Sequence, residues 1–255
     1  MLNSYVLTST LKDMLRPGRI VPWVLLALVL AGVSWLWLSM SRDPVGQQEY
    51  GMLVRLIVYR IVALAAAMFT VVVISQEIEQ KTIVYLVTRS VPRATLVFSR
   101  GLAAVVSVTI MSWLSLIAVA FVMLGPGFLS QGVFWMDMLI MFLGAAAYSA
   151  LFVFVTLLIN RAMLLILLFA FMWEAFVPYL QGDMYLLTIN TYMSVLATHP
   201  GKSEGVAAIA ALQAGSSGVN VVYAWIILIS VAVGFLMLSG WWFSKFQYLP
   251  REDAE

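Results

Sequence analysis

Residues 76–100 read QEIEQKTIVYLVTRSVPRATLVFSR, and they interrupt a chain that otherwise consists mostly of apolar runs. The stretch starts acidic and ends basic without losing a helical pattern. At its centre, Ser90 can cap a helix, and Pro92 is tolerated in a first turn because its missing N–H would have no intrahelical partner there. The pattern therefore predicts a charged helix–turn–helix between two apolar segments.

The composition of the chain places it in a membrane. Hydrophobic residues make up 63% and charged residues only 10%, and the mean hydropathy is +1.00. Soluble domains carry about 25% charged residues. A chain this apolar would aggregate in water, so the sequence predicts an integral membrane protein. Its fold class should be all-α, because strands would leave unpaired backbone groups in lipid.

Six apolar runs approach the roughly 20 residues that cross about 30 Å of hydrocarbon. The predicted spans are residues 20–40, 52–75, 95–124, 134–159, 162–180 and 221–243. Residues 1–19 should form an amphipathic interfacial helix rather than a cleavable signal, because the apolar run that follows has the length of a full span. We expect one transmembrane domain over residues 1–255, with a cytoplasmic loop at residues 76–94.

The longest connection, residues 181–220, is mixed in character rather than purely polar. Tyr192–Ala197 and Val206–Ala214 are apolar enough to enter the outer leaflet, and His199-Pro200-Gly201 breaks the run between them. We expect one or two short interfacial or re-entrant helices here. A loosely folded outer loop is the alternative.

Basic residues predict the orientation of the chain. Ten of its fourteen lysines and arginines fall on one side of the six predicted spans: Lys12, Arg16, Arg19, Lys81, Arg89, Arg93, Arg100, Arg161, Lys245 and Arg251. The opposite loops hold only Arg42 and Lys202. By the positive-inside rule, both termini and residues 76–100 should be cytoplasmic, in a bacterial or archaeal plasma membrane. The simplest interpretation of residues 76–100 is then a loop whose charges only fix this orientation.

Charged residues inside the predicted spans need partners, because a bare charge in lipid is costly. Arg60 should lie ~12 Å below the outer face of the second span and Glu174 ~9 Å below that of the fifth. At these comparable depths, we expect the two to pair or to share a polar cavity. Arg55 and Asp137 could form a second pair. Alternatively, the arginines extend to lipid headgroups and Glu174 binds water.

Several kinds of chemistry have no motif in the chain. A phosphate-binding G-x-x-x-x-G-K-[ST] loop, H-E-x-x-H and G-x-S-x-G are all absent. With no cysteine and one histidine, His199, neither a thiolate site nor a histidine metal cluster can form. An intramembrane protease is disfavoured, because Glu77 and Glu79 lie ~200° apart on a helix. The sequence predicts no enzyme activity, no metal and no cofactor in this chain, and no nucleic-acid partner.

Residues 76–100 resemble a segment of the permease subunits of ABC-2 type transporters. That family commonly has E-x-E-x-G-[TS], a leucine-rich turn, R-P-x-S-R and a basic residue before the next span. The matching residues here are Glu77, Glu79, Thr82, Leu86, Arg89, Val91 and Arg93, with Arg100 near the usual lysine. Lys81 replaces the usual glycine, and Ser90 and Pro92 exchange the usual proline and serine. The turn at Arg89–Arg93 should therefore lie at a slightly different position from the turn in the family.

The resemblance implies a mechanism. The first cytoplasmic loop would be a coupling helix that docks on a separate ATPase subunit, which would carry ATP and Mg²⁺. Two ATPases and two permeases, here a homodimer, would form the transporter in the lipid bilayer and export an amphiphilic or hydrophobic substrate or transmit a conformational signal. The docking residues would be Glu77, Glu79, Lys81, Thr82, Ile83, Tyr85, Leu86, Arg89, Pro92 and Arg93. A self-sufficient channel or secondary carrier is the alternative function.

Overall fold

Apolar helices make up nearly all of the described chain. The computed structural model describes residues 4–40, 47–79, 93–159, 162–177, 183–197 and 220–245, and contains no strand within them. The helices are α1 Ser4–Met14, α2 Pro17–Met40, α3 Gln47–Leu53, α4 Tyr59–Glu79, α5 Arg93–Leu124, α6 Gly132–Leu158, α7 Ala162–Leu168, α8 Glu174–Phe176, α9 Ile189–Leu196 and α10 Val221–Lys245. The all-α fold class is confirmed.

Five helical segments are long and apolar enough to cross a membrane. They are Pro17–Met40, Glu49–Val71, Thr95–Leu124, Gly132–Leu158 and Val221–Lys245. These segments overlap five of the six predicted spans, so the chain has the architecture of a multi-pass membrane protein.

The predicted span over residues 162–180 is only partly covered by the described residues. Ala162–Trp173 is a shorter apolar helix, and α8 extends it to Phe176. At 1.5 Å per residue this helix is about 22 Å long, less than a hydrocarbon core of about 30 Å. Residues 178–182 lie outside the described chain, so a sixth crossing stays a prediction.

Two of the helical segments contain a π-helical turn. Val54–Val58 joins α3 to α4, and Phe169–Trp173 joins α7 to α8. In each turn a backbone N–H reaches the carbonyl five residues back: Tyr59 donates to Val54, and Glu174 donates to Phe169. Such bulges are rare and often accompany functional sites. Here the first π turn immediately precedes Tyr59 and Arg60, and the second immediately precedes Glu174.

Helices α5 and α6 form the centre of the bundle. Helix α5 packs against α1, α2, α4, α6 and α10, and α6 packs against α4, α5, α9 and α10. By contrast, only 22% of the most apolar stretch of α2 and 17% of that of α10 are buried, so the apolar residues of these two helices mostly face outward. Such faces are suited to lipid, which solvates apolar side chains.

Helix α1 occupies the region where the sequence predicts an amphipathic N-terminal helix. It packs against α5, and the side chain of its Met14 is fully buried next to Ser107. Between α5 and α6, the chain turns at Gly125, whose φ of 72° favours glycine. This is the position at which Gly125-Pro126-Gly127 predicts a break.

Candidate functional site

A buried acid, Asp137 on α6, lies between two tyrosines of the segment Glu49–Val71. The Tyr50 hydroxyl donates to Asp137 Oδ2 at 2.9 Å, and the Tyr59 hydroxyl donates to Oδ1 at 2.8 Å. Asp137 is only 1% exposed, and both tyrosines are fully buried. Each oxygen of the carboxyl group thus has a buried hydrogen-bond partner, which compensates for part of the cost of burying this acid.

The π turn at Val54–Val58 explains how two tyrosines nine positions apart reach one carboxylate. On a regular α-helix, Tyr50 and Tyr59 would point about 180° apart. A π turn accommodates one extra residue, so the pair behaves as if it were about eight positions apart, or roughly 80°. Both side chains then fall on the side of the helix that faces α6, where Asp137 lies.

The second buried acid, Glu174, caps a helix that belongs to another part of the chain. Its Oε1 accepts the backbone N–H of Ile189 at 3.1 Å, and its Oε2 accepts that of Asn190 at 3.2 Å. These are the first two amides of α9, which have no intrahelical partner. The residue at the N-cap position, Thr188, makes no capping hydrogen bond of its own. Glu174, 1% exposed, therefore supplies the cap across the bundle.

The other end of α9 is bound by an arginine. Arg55, within the π turn of the second span, donates from Nη2 to the carbonyl of Ala197 at 2.9 Å. Ala197 is the C-cap residue of α9. A helix carries partial positive charge at its amino end and partial negative charge at its carboxyl end. Glu174 and Arg55 match both ends of this dipole.

Helix α9 is closely packed as well as capped. Six of its eight residues are buried, and it contacts α10 and α6. A Cβ placed on Gly144 of α6 would lie 2.5 Å from the Met193 sulfur, so a larger residue here would require the Met193 side chain to shift. The Tyr192 hydroxyl donates to the Leu186 carbonyl at 2.7 Å. Burial raises the pKa of the Tyr192 hydroxyl above its usual value.

Two further polar residues face Glu174. Arg60 and Tyr148 both interact electrostatically with its carboxylate. Tyr148 is fully buried, and its hydroxyl oxygen makes no hydrogen bond of good geometry within the described chain. The predicted pairing of Arg60 with Glu174 stays a prediction, since their charges interact but a direct ion pair is not established. The same holds for Arg55 and Asp137, whose charges also interact.

Most of the predicted docking residues fall outside the described residues. Glu77 and Glu79 belong to the last turn of α4, and Arg93 is the first residue of α5. The others lie at residues 80–92, of which nothing is described: Lys81, Thr82, Ile83, Tyr85, Leu86, Arg89 and Pro92. Among the residues that the structure describes, no group of three His, Cys, Asp or Glu could hold a metal ion.

Sequence reasoning identified the four charges but missed what they bind. Tyr50, Tyr59 and the backbone of α9 were not anticipated as partners. The adjacent pair Tyr59-Arg60 in an apolar run was a weak signal, since buried tyrosines commonly need a partner for the hydroxyl. The π turns left no signal in the composition of the helix.

The class defined by this architecture is a multi-pass helical membrane protein, with two buried acids, Asp137 and Glu174, among the residues that the structure describes. The chain matches no protein-family model and no curated protein.

Proposed function

We propose that this chain is the permease subunit of an ABC-2 type transporter. The observation that carries the proposal is the charged segment 76–100, which lies between two apolar segments and carries the family-like residues Glu77, Glu79, Arg89 and Arg93. A chain with no phosphate-binding motif needs an external source of energy for transport. A separate ATPase, holding ATP and Mg²⁺, supplies it.

The assembly contains two ATPases and two copies of this permease in a bacterial or archaeal cytoplasmic membrane. Six spans, with both termini in the cytoplasm, put the charged segment on the ATPase side. Glu79 ends one long helix and Arg93 starts the next, which supports a rigid connection from the charged segment to the bundle. The cargo is an amphiphilic or hydrophobic molecule for export, or a conformational signal.

In this assembly the coupling segment, residues 76–94, contacts the ATPase through both charged and apolar side chains. Glu77, Glu79, Lys81, Arg89 and Arg93 form a charged rim that selects the partner. Ile83, Tyr85 and Leu86 supply the buried contact.

The proposal expects a P-loop ATPase encoded beside this chain, and a pull-down with that ATPase tests it. Reversing both charges, Glu79→Arg with Arg93→Glu, should weaken association by about tenfold or more, because mismatched rim charges repel. The matched control reverses Asp13 and Arg16, an exposed ion pair at 2.7 Å on and just after α1, and should leave association unchanged. Unchanged binding of the Glu79/Arg93 variant would refute the docking role.

A secondary carrier is the second candidate, and the buried carboxylates favour it. Asp137 and Glu174 are each 1% exposed in a membrane bundle, and ion-coupled carriers use such groups. Reconstitution separates the candidates. Transport that follows an imposed proton or sodium gradient without ATPase supports the carrier, and transport that requires ATP and the partner supports the permease.

A further inference from the structure

We propose that residues 12–19, here called the α1–α2 corner, bind the headgroup of one anionic phospholipid, and that an acyl chain of this lipid lies along the outward face of α2. The headgroup phosphate contacts Lys12, Arg16 and Arg19. The proposal uses only the membrane-spanning architecture and does not require the transporter assignment.

The contact between α1 and α5 sets the level of the α1–α2 corner in the membrane. Met14, the last residue of α1, is buried, and Ser107 Oγ donates to its sulfur at 3.1 Å. The part of α5 from Ser107 to its end at Leu124 is about 26 Å long at 1.5 Å per residue. A hydrocarbon core is about 30 Å thick. With Leu124 at one boundary of the core, the corner lies near the other, where the headgroups are.

Basic residues are concentrated at this boundary. Lys12, Arg16 and Arg19 lie close together in the sequence, whereas Asp13 is the only acidic residue before Asp43. Lys12 and Arg16 are exposed, and Arg16 forms an exposed ion pair with Asp13 at 2.7 Å. Such a pair contributes little to stability, so Arg16 can exchange it for a phosphate at small cost. The excess positive charge of the corner complements an anionic headgroup.

The structure leaves room for a headgroup beside these residues. Arg19 Nη1 donates to the Asp13 carbonyl at 3.0 Å, which holds the Arg19 side chain at the corner. The preceding residue, Gly18, is exposed, and a Cβ built on it would meet nothing within 4 Å. The open space at Gly18 therefore lies between two arginines in the sequence, and a guanidinium group binds phosphate with strong, charge-assisted hydrogen bonds.

An apolar row on α2 continues from Gly18 along the helix. Val21, Leu25 and Leu28 are 53%, 56% and 62% exposed. Their spacings of three and four positions place them on the same side of the helix as Gly18. A ligand that covers both the row and the corner must combine a negative charge with a long apolar part. An anionic phospholipid has both, whereas a soluble anion would leave the row uncovered.

Native mass spectrometry of the purified full-length chain tests the proposal, because it resolves the protein with no lipid, one lipid or two lipids bound. The probe is phosphatidylglycerol, and the measured quantity is the dissociation constant of the first bound molecule. Lys12→Gln and Arg19→Gln should each raise this constant by about fivefold, which corresponds to about 1 kcal/mol for one basic residue near a lipid surface. Binding of phosphatidylcholine, which has no net charge, should be unchanged.

The matched control for the loss of a charge is Lys245→Gln. Lys245 is also exposed, and its Nζ lies 4.7 Å from the centre of the Trp241 ring at the end of α10, outside the α1–α2 corner. The control should leave the dissociation constant of the first phosphatidylglycerol unchanged.

A steric variant tests the position of the headgroup without a change of charge. Gly18→Leu fills the open space and should raise the dissociation constant by about fivefold or more, at least as much as the loss of one basic residue. Gly234→Leu on α10 is the control, because a Cβ at Gly234 would also meet nothing within 4 Å. Both variants should unfold at the temperature of the unaltered chain when phosphatidylglycerol is absent.

Three results would overturn the proposal. An equal loss of affinity in Lys245→Gln would show that any exposed basic residue attracts the lipid. Unchanged binding to Gly18→Leu would place the headgroup elsewhere. Displacement of the lipid by an equal concentration of inorganic phosphate would show that the corner is a site for small anions. None of these measurements involves an ATPase, so the lipid site and the permease assignment fail independently.

Discussion

Glu174 and Arg55 hold opposite ends of one eight-residue helix, although 119 positions separate them in sequence. The helix is α9, Ile189–Leu196; Glu174 binds its amino end and Arg55 binds its carboxyl end. Each charge matches the partial charge at its end of the helix, so the two contacts act in the same direction. The arrangement resolves the difficulty that these residues pose in an apolar chain, since both have backbone partners inside the bundle.

The hydrogen bonds from Tyr50 and Tyr59 to Asp137 should contribute measurably to stability. Tyr59→Phe should lower the free energy of unfolding in detergent by about 1–2 kcal/mol, because it removes a hydrogen bond to a buried carboxylate. Tyr50→Phe should behave similarly. Tyr223→Phe is the control, since that side chain is 63% exposed and its loss should cost less than about 0.5 kcal/mol. Equal stability of Tyr59→Phe and the control would show that the Tyr59–Asp137 hydrogen bond does not stabilise the protein.

The π turn should act as a one-residue insertion that keeps both tyrosines on the side of Asp137. Deleting Ile57 should convert it into a regular α turn and leave Tyr50 and Tyr59 eight positions, or roughly 80°, apart. The deletion should therefore destabilise the protein less than Tyr50→Phe and Tyr59→Phe combined, as measured by thermal unfolding in detergent. Ile57→Ala keeps the bulge and is the control for loss of the side chain alone. A deletion variant as unstable as the double tyrosine variant would show that the turn is not a simple insertion.

The close approach of Gly144 to Met193 should appear as energetic coupling. Gly144→Ala should cost about 1–3 kcal/mol from overpacking, less the roughly 1 kcal/mol by which alanine favours a helix. Because shortening Met193 removes the clash, the double variant with Met193→Ala should be more stable than the sum of the single changes predicts.

The same unfolding measurement should include Gly234→Ala, which has nothing within 4 Å of the added methyl group and should not destabilise. Simple additivity of Gly144→Ala and Met193→Ala would contradict the contact.

The number of crossings can be counted by labelling single cysteines in cells. Six crossings put Ser9→Cys and Lys245→Cys on the same, cytoplasmic side, where an impermeant reagent reaches them only after permeabilisation. Ser130→Cys, in the exposed turn between α5 and α6, should react in intact cells. If residues 9 and 245 react from opposite sides, the number of crossings is odd and the helix beginning at Ala162 does not cross.

The sequence alone determined the class of the protein and the positions of its long helices. Apolar runs of about 20 residues leave the backbone no option in lipid except a helix, so composition and length suffice. The break at Gly125 could also be predicted, because a tight Gly-Pro-Gly turn is a local property. Arg55, Arg60, Asp137 and Glu174, which lie within the predicted spans, were recognisable as costly to bury and in need of partners.

Only the tertiary structure decided what those partners are. Asp137 binds tyrosines 78 and 87 positions away, and Arg55 reaches a carbonyl 142 positions away. A backbone carbonyl or amide has no sequence signature, and the π turns that rotate Tyr59 and precede Glu174 left no signal in the composition of their helices. Periodicity reports which residues prefer lipid, whereas the meeting of a charge with a distant helix end depends on how the helices pack together.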